Sequence, residues 1–288
     1  MVYLITGATG LVGSQVVEKL IERGERPHVF VRDRAKAEAR YGNRVKIVTG
    51  DLADAKTLGS AFCGVDALLL INSGPNLAAQ DEAAVAAAKA GGLKHLVKLS
   101  SYDARENVGT GVWHALGEMA IRASGVAFTF VQPSGFMSNA LFWARSIQDG
   151  GVVRSCTGEG RIPFIHPRDI AEVAVEALAS GRWQGESLAV TGPEALSYGE
   201  MAAKIGSAFG KTIGFESIPQ EAVRQMMVNN GDSEPEIEAH LSIYQAIREN
   251  RLAKVTDTVE QVLGRQAITF DQWVQENISA FAVPCHAS

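Results

Sequence analysis

The sequence predicts an α/β fold: a doubly wound parallel sheet followed by a smaller, mostly helical C-terminal lobe. Val2-Tyr3-Leu4-Ile5-Thr6 is an apolar, β-branched run that ends in Gly7-Ala8-Thr9-Gly10-Leu11-Val12-Gly13, and an amphipathic helical pattern follows from Ser14 to Arg23. Further short apolar runs, such as Ala67-Leu68-Leu69-Leu70-Ile71, lack alternation, as expected of parallel strands covered on both faces. Helical patterns separate these runs, and a repeated strand–helix order predicts right-handed crossovers in one sheet.

The elements follow in order. Arg26 to Val31 reads as the second strand, Arg34 to Tyr41 as a helix, and Val45 to Val48 as the third strand, ending at Gly50-Asp51. Asp54 is placed to cap a helix that runs through Phe62. The strand Ala67–Ile71, the alanine-rich helix Gln80 to Ala90 and the strand Leu96–Leu99 come next, then a helix from His114 to Ser124 and the strand Ala127–Val131. Regularity fades after Pro133. Ile170 to Leu178 reads as a helix returning to the main domain, with Asp169 as its N-cap, and Glu186 to Val190 as a strand. Ser197 with Glu200 forms a capping box for a helix to Phe209, Glu216 to Ile218 is a candidate short strand, and helical patterns cover Glu221–Met227 and Glu236–Asn250. The polar break Asn229-Asn230-Gly231-Asp232 reads as a surface turn, with a loop over the site as the alternative. Residues 1–133, joined by about 165–192, are expected to form the first domain, and 134–164 with 193–288 the lobe.

The chain has 288 residues, 46% of them hydrophobic and 20% charged, in the range of an ordinary globule. A net charge of −5 with scattered Lys and Arg gives no reason to expect nucleic acid. Cys63, Cys156 and Cys285 are widely spaced with no C-x-x-C pair, and the histidines show no metal-like spacing, so neither a disulfide frame nor a metal is expected. Without a leader or a long apolar run, the expectation is a cytoplasmic protein that does not engage a membrane, with a homodimer allowed.

The glycine motif sits in the strand–turn–helix context of a dinucleotide fingerprint, although its spacing is G-x-x-G-x-x-G. Gly7 permits the tight turn, Gly10 lets a pyrophosphate approach the backbone, and Gly13 lets helix and strand pack closely. Thr9, Leu11 and Val12 complete the loop that delivers the helix N-terminus to the phosphates. Where an NAD-preferring fold carries an acid after its second strand, this chain has Arg32, with Lys36 one turn on; both suit a 2′-phosphate. NADP(H) is therefore favoured and NAD(H) allowed, since Asp33 is at hand for a ribose. Asp51 and Leu52 are positioned for the adenine, and Asn72, Ser73 and Gly74 for the ribose and pyrophosphate.

These residues resemble an NmrA-like member of the atypical short-chain dehydrogenases, over nearly the whole chain. The likeness also rests on Leu99-Ser100-Ser101, His114…Glu118, Ser124-Gly125-Val126, Pro133-Ser134-Gly135-Phe136-Met137-Ser138-Asn139 and His166-Pro167-Arg168-Asp169-Ile170-Ala171. The resemblance implies a Rossmann cofactor domain with a small lobe, and the nicotinamide end near Ser100, Pro133 and Phe136. It implies NAD(P)H-dependent reduction of a quinone or a related small aromatic or carbonyl compound. The alternatives are a nucleotide-binding redox sensor without turnover, or an epimerase or tailoring enzyme. Gln132 stands where many relatives carry an arginine.

No Tyr-x-x-x-Lys pair occurs on the helix after the fifth strand. In its place stand His114 and Glu118, four residues apart and hence on one face. A carboxylate that orients a histidine and raises its pKa would make His114 a proton donor while the nucleotide delivers hydride; the alternative is a purely structural hydrogen bond. Tyr102, Trp113, Phe136 and Met137, with Phe142 and Trp143 nearby, are the residues expected to wall a flat apolar substrate.

Overall fold

In a computed structural model describing residues 1–282, seven parallel strands form one sheet in the order β3-β2-β1-β4-β5-β6-β9. These strands are β1 (Tyr3–Thr6), β2 (His28–Val31), β3 (Lys46–Thr49), β4 (Ala67–Leu70), β5 (His95–Leu99), β6 (Phe128–Pro133) and β9 (Ser187–Val190). The helices α1 (Leu11–Glu22), α2 (Arg34–Tyr41), α3 (Ala55–Phe62), α4 (Leu77–Ala90), α6 (Thr110–Ser124) and α8 (Pro167–Ser180) flank the sheet, and the short α5 (Asp103–Glu106) follows β5. β1 and β4 are buried at every residue, because helices cover both faces. One core packs the sheet against α1 and α8, the other against α3, α4 and α6. The strand order reverses between β1 and β4. In such sheets ligands bind in the crevice outside the carboxyl ends at that switch point.

A further core builds the lobe from α7 (Ala144–Gly150), α9 (Tyr198–Phe209), α10 (Gln220–Asn230), α11 (Glu234–Arg248) and α13 (Phe270–Asn277), while α12 (Thr258–Leu263) packs back on α8. The lobe also carries small sheets. β11 (Gly214–Ser217) pairs in parallel with β7 (Val152–Ser155), and β10 (Leu196–Ser197) antiparallel with β8 (Arg161–Ile162). Between α10 and α11 the polar break is a tight turn: Gly231 takes φ +85°, the Asp232 N–H donates to the Met227 carbonyl, and Ser233 with Glu236 opens α11 by a capping box.

The expected cap of α8 is corrected. His166, not Asp169, is the N-cap: its Nδ1 accepts from the Arg168 N–H at 2.9 Å. Asp169 lies inside the first turn and fully buried, accepting from the Ile268 N–H and paired with Arg265 at 2.7 Å. Proline at N1 shifts the start of the helix forward, which frees the aspartate to fasten the C-terminal segment. Cys63 and Cys156 are free thiols; Cys285 and His286 lie outside the described residues. Among the described residues, no helix is long and apolar enough to cross a membrane, and no His, Cys, Asp and Glu group could hold a metal ion.

Candidate functional site

The loop after β1 is tied down before any ligand arrives. The Thr6 hydroxyl donates to the carbonyls of Leu69 and Ile71 and accepts from the Ile71 N–H at 2.7 Å, which locks the ends of β1 and β4 together. Gly7 takes φ +58°, and a Cβ there would stand 2.9 Å from the Ile71 Cβ. A Cβ on Gly13 would come within 2.3 Å of the Gly7 carbonyl oxygen. Tyr41 of α2 braces the turn from outside, donating its hydroxyl to the Ala8 carbonyl at 2.5 Å. Gly10, the N-cap of α1, has an extended backbone and no side-chain cap, so the first-turn N–H groups stay free. This is the anion cradle that a pyrophosphate needs.

A cavity of about 570 Å³ opens over this turn. Gly7, Thr9, Gly10, Arg32, Lys36, Asp51, Leu52, Asn72 and Ser73 all line it. Leu11 is instead half-exposed, Val12 and Gly13 pack beneath the turn, Gly74 is a positive-φ turn residue, and Ser100, just past β5, and Pro133, the last residue of β6, do not line this cavity. Among the described residues Arg32 and Lys36 form no ion pair, so both cations are available to a phosphate. Asp33 is spent: its carboxylate caps α2 by accepting from the Lys36 N–H at 3.0 Å. Asp51 accepts from the Ala53 N–H, an Asx-type turn that fixes the loop along the cavity.

Beyond the cavity lies a buried polar network that the strand pattern did not disclose. Lys98 of β5 and Asp81 of α4 are both fully buried and stand 3.0 Å apart. Burial pushes the Asp81 carboxyl up and the Lys98 ammonium down, with their mutual attraction opposing both shifts. Asn72 joins them, donating to Asp81, Gln80 and the Leu77 carbonyl and accepting from Lys98. Its side chain therefore faces the protein and anchors the loop after β4, while that loop lines the cavity. Gly117 of α6 is required here, because a Cβ would stand 2.1 Å from Asp81 Oδ2.

The pairing expected between His114 and Glu118 does not form. Glu118 turns toward the sheet: its Oε1 accepts from the Ser100 hydroxyl at 2.5 Å and from Gln132 Nε2 at 2.7 Å. Gln132, in the position that sequence singled out as a departure, extends this chain by accepting from Arg105 Nε at 2.7 Å. His114 is left with a buried Nδ1 that has no partner, and its pKa is lowered to about 3, by burial first and by Lys98 second. The expected upward shift is overturned because the carboxylate went to Ser100 and a cation lies on the other side. The unfolded histidine titrates near 6.5, so the unfolded chain holds more protons between pH 6.5 and about 3. Stability contributed by neutral His114 is thus present above pH 6.5 and lost as pH falls, at up to about 1.4 kcal/mol per pH unit. Urea midpoints at pH 7 and pH 5 should draw together in His114→Gln; an unchanged gap would refute the buried neutral imidazole.

The expected substrate wall is partly reassigned. Met137 is sealed in the lobe core, and Phe142 is 86% exposed. Tyr102 is buried at the seam between sheet and lobe, Trp113 is half-buried on α6, and Phe136 packs against the sheet core beside Ile165. The aromatic group that does assemble comes from the lobe, where the rings of Trp143, Phe164 and Tyr244 surround Tyr198 at centroid distances of 4.8, 5.9 and 6.5 Å. Sequence reading passed over Tyr198 and Tyr244 because they lie on helices whose apolar pattern explains them equally well as core.

A family model described as NAD(P)H-binding matches residues 7–181. The chain is 36% identical over 282 residues to the NAD(P)H azoreductase of Xenophilus azovorans, covering 96% of this chain and 98% of the relative. It is 37% identical over 284 residues to the (4-alkanoyl-5-oxo-2,5-dihydrofuran-3-yl)methyl phosphate reductase of Streptomyces griseus, covering 97% and 99%. Its fold matches that of an NADPH-dependent quinone oxidoreductase from Escherichia coli complexed with NADPH, with a TM-score of 0.88 at 24% identity, over 95% of this chain and 99% of that one.

Proposed function

Because the chain belongs to the NAD(P)H-binding family, we propose that it is an NADPH-dependent reductase acting on a quinone or a related small aromatic or carbonyl compound. The observation that carries the reading is the cavity lined both by an uncapped helix N-terminus and by Arg32 and Lys36, cations that form no ion pair among the described residues. The residues fit a dinucleotide: Gly7, Thr9 and Gly10 cradle the pyrophosphate, Arg32 and Lys36 take the 2′-phosphate, and Asp51 with Leu52 holds the adenine. The bound nucleotide supplies a hydride from its nicotinamide. Ser100, held by Glu118, positions the reacting end at the close of β5, while Tyr102 and the lobe aromatics exclude water from it. We assign nucleotide binding to residues 1–133 with 165–192, and the acceptor to the remainder. His114 acts as a neutral positioning group, since an imidazole whose pKa is lowered to about 3 is not in its protonated, imidazolium form at neutral pH.

The test is steady-state oxidation of NADPH and NADH against a panel of quinones and azo compounds. Turnover with at least one acceptor is expected. Binding without turnover on any of them would overturn the reading in favour of a nucleotide sensor. Arg32→Ala should weaken NADPH about 10- to 100-fold, the worth of a lost charge-assisted phosphate contact, and leave NADH nearly unchanged. Equal losses for both nucleotides would refute the 2′-phosphate assignment.

A further inference from the structure

The two phosphate-binding parts of the cavity stand on separate pieces of chain. β1 and β2 pair as far as Thr6 and Phe30, and beyond them run the glycine turn on one side and α2 on the other. Ala8 and Gly10 of the turn line the cavity, as do Arg32 and Lys36 at the entry to α2. Strand pairing therefore sets their separation only coarsely, and a finer fastening has to come from the loops and helices themselves.

Such a fastening grips the far end of α2. Tyr41, the last residue of the helix, is buried, and its hydroxyl donates to the Ala8 carbonyl at 2.5 Å. Among the described residues this is the one hydrogen bond that joins α2 to the turn. Arg44 adds a second hold. Its Nη1 and Nη2 bind the Glu18 carboxylate of α1 at 2.6 and 3.1 Å, while its Nε donates to the Tyr41 carbonyl at 3.2 Å. α1 is the helix whose free first-turn N–H groups form the cradle. The entry end of α2 is fixed as well, because Asp33 accepts from the Lys36 N–H at 3.0 Å. An eight-residue helix is a strut about 12 Å long, so fixing both of its ends leaves little play between Lys36 and the turn.

We propose that Tyr41, seconded by Arg44, sets the spacing between the 2′-phosphate site and the pyrophosphate cradle, and so helps to determine the preference for NADPH. This rests on the assignment of Arg32 and Lys36 to the 2′-phosphate above. Tyr41 is a positioning residue, since its hydroxyl is committed to Ala8 and acts on the nucleotide only through the turn and the helix. Phenylalanine would fill the same space in the core, so what the hydroxyl adds is this bond alone. A ligand held at one end is indifferent to the spacing. NADPH, whose two phosphate groups are joined through one ribose, gains from both sites only when they stand the right distance apart, and a preset distance removes the cost of ordering them on binding.

The test measures dissociation constants of NADPH, NADH and 2′-AMP by calorimetry on the full chain. Tyr41→Phe should weaken NADPH about 10-fold and NADH about threefold, within the range of one lost hydrogen bond, and leave 2′-AMP within about twofold. In a Lys36→Ala background the loss that Tyr41→Phe causes for NADPH should shrink to about that for NADH, because the two residues act through one contact. Arg44→Ala removes an exposed ion pair and should narrow the preference for NADPH over NADH by about twofold. Equal losses for NADPH and NADH, or an equal loss for 2′-AMP, would show that Tyr41 merely holds α2 in the fold and would overturn the proposal. Should Tyr41→Phe be too unstable to titrate, Arg44→Ala decides, and an unchanged preference overturns it. A wild type that binds NADPH no more tightly than NADH would instead sink the 2′-phosphate assignment, and this role with it.

Discussion

Replacing Lys98 by methionine is expected to lower the unfolding free energy by about 3–5 kcal/mol, the cost of leaving a buried charge without its partner. Lys98 and Asp81 are both fully excluded from water, and Asp81 Oδ2 already lacks a hydrogen bond, so only the neutral Asn72 amide is left to hold the orphaned carboxylate. Native domains hold only about 5–15 kcal/mol in all, so the variant should fold but melt early. The double variant Lys98→Met with Asp81→Leu should recover most of the loss, because an apolar pair of similar volume removes the desolvation problem altogether. A urea double-mutant cycle reads this directly, and additive single losses would show that the two groups do not act as a pair. NADPH affinity should also fall in Lys98→Met, since the ammonium holds Asn72 and Asn72 holds the cavity loop after β4.

Gly13→Ala should nearly abolish nucleotide binding while leaving a folded protein. The added methyl would lie 2.3 Å from the Gly7 carbonyl oxygen and 2.8 Å from its carbon, both backbone atoms that no rotamer change can move aside. Relief requires α1 to shift away from the turn, an overpacking strain of about 1–3 kcal/mol. That shift misaligns the free N–H groups at the start of α1, and losing one or two charge-assisted contacts of about 1.5–3 kcal/mol each weakens binding by roughly 10²-fold or more. Gly24→Ala is the matched control. Gly24 has φ +82° with nothing within 4 Å of a new Cβ, so it should cost some stability and no affinity. Calorimetric titration with NADPH separates the two outcomes; an unchanged dissociation constant for Gly13→Ala would refute the phosphate cradle.

The sheet was legible because its information is local. Each strand of the first domain is a short apolar run and each crossover an amphipathic helix, so the α/β order follows from hydrophobic period alone. The same holds for capping: Asp54 and the Ser197–Glu200 box act as expected, because a cap involves residues within three positions of one another. Asp169 failed as a cap for the converse reason, since its partners Ile268 and Arg265 lie about a hundred residues downstream. His114 and Glu118 failed in the same way. Helical spacing does bring them to one face, but the carboxylate was captured by Ser100 of β5 and Gln132 of β6. Lys98 carried a visible signal, a lysine within a mostly apolar strand, but its partner Asp81 lies on another element 17 residues away.

By itself, then, the sequence determined the doubly wound sheet, the glycine turn after β1 and the placement of Arg32 and Lys36 beside it, because each depends on chain-local pattern and on sheet topology. Tertiary structure alone decided which polar groups are spent and which are free. Glu118 is consumed by hydrogen bonds from Ser100 and Gln132, and His114 is held neutral. A side chain's protonation and availability depend on burial and on neighbours from distant segments, and those exist only once the chain has packed.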